Sequence, residues 1–266
     1  MASCSVPIEP ADLPHIRFHS EYQRRRRPVV IRNATRVSGE RFRKLTEVEE
    51  LVRSWGSRTV TLSSANAFSY GRARMTIADY LSTMSESSWD GKDADNKYYW
   101  FGEHGPELEE LLAQYALPRF ASIAVETLAS SPVCPANEEQ QGVGACLHRT
   151  SISIAAVPAQ TGPSQPPALS FGVAPHKSGV PFHFHNDGFS EVMHGAKRWL
   201  LYEDKPPGFQ ENSTSTWWLE HVYPRLASKN MPYDCIIFPG DLLYFPNGWW
   251  HATINIGLTV FMSVFL

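Results

Sequence analysis

The last hundred residues constrain the fold most. Five short apolar runs, at 169–173, 199–202, 235–238, 242–245 and 253–265, stand between clusters of Gly, Pro, Asn and Asp. Short runs cut by turn formers, with no helical periodicity between them, predict strands of a β-sandwich or barrel rather than alternating β-α units. Upstream the texture is mixed. Residues 38–55 place Phe42, Leu45, Val48, Leu51, Val52 and Trp55 at helical spacing, which predicts one amphipathic helix. Residues 58–62 alternate as a strand does, 76–84 and 107–115 read as short helices, and 98–101 as a buried strand between them. The run at 28–31 reads as a strand led in by a solvated turn of four arginines, Arg24 to Arg27, and 217–219 as a short helix burying tryptophans. The expected fold class is mainly β with flanking helices (α+β).

The 266 residues carry 24 Lys and Arg against 27 Asp and Glu, a net charge of −3, so no general nucleic-acid binder is indicated. With 42% hydrophobic and 19% charged residues the chain is not of the disordered kind. Its longest apolar stretch, 258–266, is broken by Thr259 and Ser263 and is too short to span a membrane. A single domain over 1–266 is expected, interrupted at 129–167 by a stretch with six prolines and little periodicity. That stretch predicts a disordered surface loop without catalytic residues. No internal repeat is visible.

Histidine carries the chemistry. Pro181-Phe-His183-Phe-His185-Asn-Asp-Gly188 sets two histidines two residues apart; in a strand both imidazoles face one way. A third, His251, sits in Gly240-x5-Pro246-x-Gly248-x2-His251-x3-Asn255. Three imidazoles on the inner faces of neighbouring strands suit a divalent first-row metal with open positions left for ligands. Asp187, beside Gly188, reads as a turn residue. The remaining histidines have no partner at ligand spacing.

The second of these motifs matches a cupin signature. Together with the segment His183-Phe-His-Asn-Asp-Gly-Phe-Ser-Glu191 and Gly195-Ala-Lys197-Arg-Trp199, it resembles the JmjC branch of that superfamily. The likeness runs from the Pro28 strand to Phe265, leaving out the Pro-rich stretch. It implies a double-stranded β-helix, the cupin-like jelly-roll barrel, and chemistry with Fe(II), 2-oxoglutarate and O2. It also implies that His183 and His251 hold iron and that Lys197 pairs with the far carboxylate of 2-oxoglutarate. Tyr98 or Tyr99, Asn255 and Ser263 fall where members place further contacts to that co-substrate.

One departure stands out. Family members carry Asp or Glu where this chain has His185, so a bound iron keeps one more unit of positive charge. Ser190 likewise replaces an Asn common in the family. Three outcomes stay open: a working three-histidine site with His183, His185 and His251; Glu191 supplying the carboxylate, at a spacing that needs a β-bulge; or a site that binds metal structurally or not at all. The first two make the protein an oxygenase acting on a protein side chain. The third makes it a catalytically inactive JmjC/cupin module acting through a protein partner or in regulation. A histone-demethylase role is disfavoured because no reader domain or basic surface accompanies the barrel.

The four cysteines, Cys4, Cys134, Cys146 and Cys235, form no CxxC pair. Cys4 and Cys235 can pair if the barrel brings the N-terminus against the strand at 235. Members of the resembled group in animals enter the endoplasmic reticulum. The opening residues here show no basic and apolar leader, so either the start is incomplete or the protein is expected in the cytoplasm; two sequons, at Asn33 and Asn212, support a secretory route only weakly.

Overall fold

A computed structural model describes residues 4–64, 71–84, 98–102, 108–122 and 167–266. The Pro-rich stretch expected at 129–167 lies outside them, apart from Pro167. In chain order the elements are β1 (Ile8–Glu9), α1 (His15–Phe18), β2 (Val29–Ile31), α2 (Glu40–Leu45), α3 (Val48–Trp55), β3 (Thr59–Ser64), β4 (Arg72–Thr76) and α4 (Ile77–Ser82). They continue with β5 (Tyr98–Phe101), α5 (Glu109–Leu112), β6 (Ala168–Ala174), β7 (Gly188–Tyr202), α6 (Ser215–His221), β8 (Tyr233–Ile237), β9 (Leu242–Phe245) and β10 (Trp250–Phe265). The strands join in the order β1-β2-β9-β7-β10-β6-β5-β3-β4, with β8 added to β7. All pairs are antiparallel except β1 with β2. The mainly β fold with flanking helices is therefore present.

Two long strands organise it. β7 and β10 pair from Trp250↔Tyr202 to Phe265↔Gly188, with register shifts between Ile256 and Phe261. The bend is where Gly195 takes φ +76°, and a Cβ there would meet the Leu258 carbonyl at 2.3 Å. Either side of the bend β7 holds a different neighbour, β8 on one half and β9 on the other. The sequence runs at 199–202 and 253–265 are thus pieces of longer strands, because the polar residues around Glu191 to Lys197 hide the period.

The period of two assigns the faces. One face of β7 carries Ser190, Val192, Lys197, Trp199 and Leu201. It meets Ser263, Phe261, Asn255, Thr253 and His251 of β10, and Ile237 and Cys235 of β8. These side chains line the inside of the barrel. The opposite face, with Phe189, Met193, Val260, Met262 and Val264, packs on Phe18, Phe42 and Leu51 of the helical layer. Leu200, Ala252 and Ile254 pack outward on Trp218 of α6. Burying each such side chain contributes about 2 kcal/mol, which is what seats the helices on the sheet.

The single helix expected over 38–55 is two. Thr46 closes α2 by giving its hydroxyl to Phe42 O at 2.9 Å, and Glu47 turns extended at ψ 144° before α3 begins. A threonine that satisfies the carbonyls of the turn behind it competes with helix continuation. The four arginines form the exposed turn before β2, with Arg26 at φ +50°. Cys4 and Cys235 are joined by a disulfide, Cα–Cα 4.2 Å. Beside it, Ser5 N donates to Asp234 O at 2.9 Å, so the N-terminal segment covers the free edge of β8. Among the described residues no helix is long and apolar enough to cross a membrane.

Candidate metal centre

His251 stands on β10, but the His183–His185 segment is not a regular strand. It touches β10 through one bridge, in which His183 N donates to His251 O at 3.1 Å and His251 N to His183 O at 2.8 Å. The segment is held extended by two other contacts: Gly248 N donates to His185 O (2.9 Å), and Leu266 N to Asp187 O (3.0 Å). Extended backbone alone keeps the two side chains on one side, so the period-two reasoning holds without a full ladder.

The three imidazoles converge, with one ligand atom from each within 4.8 Å of the others. Each Nδ1 meets a backbone carbonyl: His183 on Pro181 O (2.8 Å), His185 on Asn186 O (2.8 Å) and His251 on Trp249 O (2.9 Å). A carbonyl only accepts, so each Nδ1 carries the proton and each Nε2 offers a lone pair. The Nε2 atoms of His251 and His185 approach to 3.2 Å. Burial pushes all three below the usual histidine range, His183 to about 3, and neighbouring imidazoles push His183 and His251 the same way. Neutral rings with facing lone pairs are the donor set of a metal site, and the chemistry of these donors fits a divalent cation.

Aromatic rings wall the site. Phe245 lies 5.0 Å from His251 and 5.2 Å from His185, Phe265 4.7 Å from His185, and Trp199 5.5 Å from His251. Deeper in the barrel Lys197 is buried, donates to Asn255 Oδ1 at 3.3 Å, and holds Nζ 3.3 Å from the centre of the Phe261 ring. Its contacts of opposite polarity among the described residues are a neutral amide and a ring face, so burial drives its pKa well down. Asn255 is committed on its other side to Ser178, through its O (3.0 Å) and Oγ (3.1 Å).

The remaining predicted residues fall as follows. Tyr99 is buried against Phe261 and Ala174, in the cluster next to Lys197. Ser263 gives its hydroxyl to Ser190 Oγ at 3.2 Å on the inward face. Glu191 does not join the histidines. Strand parity turns it outward between inward-facing Ser190 and Val192, where Tyr115 donates to its Oε1 at 2.5 Å. Burial holds that carboxyl above the usual range. The bulge that would have brought it inward is absent between Gly188 and Val192, which pair without a shift. Asp187 accepts from Asn247 N (2.5 Å) and Tyr244 Oη (3.1 Å), a turn role. Phe261 and Trp199 were not singled out in the sequence for the pocket; Trp199, two residues beyond Lys197, shares its face by the strand period.

A model of the JmjC domain matches residues 163–266. The human JmjC domain-containing protein 8 is 33% identical over 258 residues, covering 96% of this chain and 81% of its own length. The chain belongs to the JmjC family. Other relatives match over about a third of the chain. The Caenorhabditis briggsae bifunctional arginine demethylase and lysyl-hydroxylase psr-1 is 32% identical over 115 residues, 36% of this chain and 29% of its own. The mouse 2-oxoglutarate and iron-dependent oxygenase JMJD4 is 31% identical over 101 residues, 32% of this chain and 23% of its own.

Proposed function

We propose that this JmjC protein is an Fe(II)- and 2-oxoglutarate-dependent oxygenase of the protein-hydroxylase type, with His183, His185 and His251 holding the metal. The observation that carries the reading is the convergence of three deprotonated Nε2 atoms beside a buried lysine that lacks an acidic partner among the described residues. Family relatives are named for iron and 2-oxoglutarate and for demethylation or hydroxylation. An iron held by these imidazoles would supply the centre for dioxygen activation, with the co-substrate as the reductant.

The protein's own residues have definable tasks. The Lys197 ammonium meets a carboxylate of the co-substrate; Asn255, fixed on Ser178, holds that ammonium in place. An unpaired buried ammonium is costly, so an anion that enters is bound strongly. Phe245, Phe265 and Trp199 shield one side of the imidazoles from bulk water, which strengthens charge interactions there. Tyr99, Ser190 and Ser263 offer hydroxyl groups around the same space. The protein side chain to be modified enters on the open side, where His183 and His185 are partly exposed.

His185 in place of a carboxylate favours a second reading, a binding module without turnover that acts on a protein partner. The Cys4–Cys235 disulfide favours an oxidising compartment such as the endoplasmic reticulum lumen for either reading.

Anaerobic calorimetry of 2-oxoglutarate into protein loaded with Mn(II) tests the first reading. Binding that needs the metal and is lost in Lys197→Ala and His251→Ala is the expected result. Metal-loaded protein that ignores millimolar 2-oxoglutarate would leave the binding module. Binding without succinate formation in air, across a protein-substrate screen, would favour that module as well.

A further inference from the structure

The inside of the barrel holds no carboxylate among the described residues. Glu191 faces out to Tyr115; Asp187 is committed to Tyr244 and Asn247; Asp234 pairs with Arg198 and Asp241 with Arg32. The three histidines are neutral, since each Nδ1–H goes to a carbonyl and each Nε2 is a lone pair. Lys197 is the one charged side chain on the inward face described above. A divalent metal and the Lys197 ammonium therefore sum to three positive charges, and the 2-oxoglutarate dianion cancels two. With a carboxylate in place of His185 the sum would be zero. Here one positive charge remains, among the rings of Phe245, Phe261, Phe265 and Trp199, where uncompensated charge is expensive.

A second observation points the same way. Trp199 is only 3% exposed, and its ring is stacked 5.4 Å from Phe245 on the histidine side of Lys197. Its Nε1 is buried without a hydrogen-bond partner among the described residues. Buried indole N–H groups ordinarily find an acceptor.

We infer that the barrel takes a monoanion beside the metal and 2-oxoglutarate, compensating the charge that His185 does not supply and accepting a hydrogen bond from Trp199 Nε1. The chemical class is a small inorganic anion or a carboxylate or thiolate carried by the substrate. The inference rests on the metal and co-substrate reading above.

The test loads the protein anaerobically with Co(II) and 2-oxoglutarate and titrates sodium azide, chloride and acetate, following the visible absorption of the cobalt. Azide is expected to bind wild type about tenfold tighter than His185→Asp, a difference of ~1.4 kcal/mol. Trp199→Phe, which keeps the apolar wall, is expected to weaken azide severalfold while retaining metal and co-substrate. Acetate displacing azide more readily than chloride does would assign a substrate-borne carboxylate, and the reverse order a free halide. Cobalt and 2-oxoglutarate bound with no response to azide overturns the inference alone, as does equal affinity across wild type, His185→Asp and Trp199→Phe. Failure of wild type to bind cobalt or 2-oxoglutarate overturns the inference and the functional reading together.

Discussion

His251 Nε2 lies 3.2 Å from His185 Nε2, while the Nδ1 proton of each ring is given to a backbone carbonyl. Two lone pairs at that distance repel unless a cation or a proton sits between them. Burial disfavours the proton, because it lowers both imidazole pKa values. The arrangement therefore favours a metal.

Metal affinity follows from that contact. His251→Ala and His183→Ala are each expected to weaken Co(II) by about a hundredfold or more, beyond the 10- to 100-fold of a lost supporting contact. Because the imidazoles are already neutral at pH 7, wild-type affinity should stay flat from pH 6 to 8, and binding should release no protons. Equilibrium dialysis across that range, repeated calorimetrically in buffers of different ionisation enthalpy, checks both statements. Affinity falling steeply below pH 7 would show ordinary, exposed histidines.

Lys197 gives a sign that can be worked out. Its folded pKa is lowered by burial, so the unfolded chain binds more protons between that value and 10.5. Stability from this group thus rises with pH through that window. Lys197→Met removes the buried amine while keeping its length, and is expected to raise stability at pH 7 by about 1 kcal/mol or more. The same variant should lose 2-oxoglutarate binding. In wild type, co-substrate binding should favour the ammonium and take up a proton wherever the free protein holds the amine neutral. Urea unfolding of both proteins and proton-linked calorimetry measure these effects.

How much of this was legible beforehand depends on which physical signal each residue leaves. The barrel strands were readable because apolar runs between turn formers need no tertiary information. The His183–His185 pair was readable for the same reason, its spacing matching the backbone period. The orientation of Glu191 was not, because parity depends on whether a bulge intervenes, and the absence of one between Gly188 and Val192 is decided by pairing with β9 and β10. Nor was the break at Thr46, where local helical spacing continues but a hydroxyl takes the carbonyls. Phe261 under Lys197 was hidden because it lies 64 positions away and meets Lys197 only once β7 and β10 have paired around their bend.

The Cys4–Cys235 disulfide closes a loop of 231 residues in sequence separation. Constraining so long a stretch of the unfolded chain is worth about 2–5 kcal/mol. Cys235→Ser is expected to lower the denaturant midpoint accordingly and to release residues 4–6 from the edge of β8. Non-reducing peptide mapping should find the two cysteines in one linked fragment, and hydrogen exchange should show faster turnover at Ser5 and Asp234 in the variant. Two free thiols at Cys4 and Cys235 in protein made in an oxidising compartment would contradict the pairing.

Glu191 separates a structural carboxyl from a ligand. Its folded pKa lies above that of the unfolded chain, because burial outweighs the hydrogen bond from Tyr115. The folded state then holds the proton more tightly, so this group's contribution is present below about pH 4.5 and is lost as pH rises through the folded value. Glu191→Gln mimics the protonated acid and cannot ionise. The variant should bind Co(II) as wild type does, since the side chain faces Tyr115 rather than the imidazoles. At pH 8 it should be the more stable protein, and near pH 4.5 the two should converge. The gap at pH 8 amounts to about 1.4 kcal/mol for each pH unit that separates the folded from the unfolded carboxyl. Chemical unfolding at the two pH values, alongside cobalt titration, decides the matter. Loss of cobalt binding in Glu191→Gln would place the carboxyl at the metal after all.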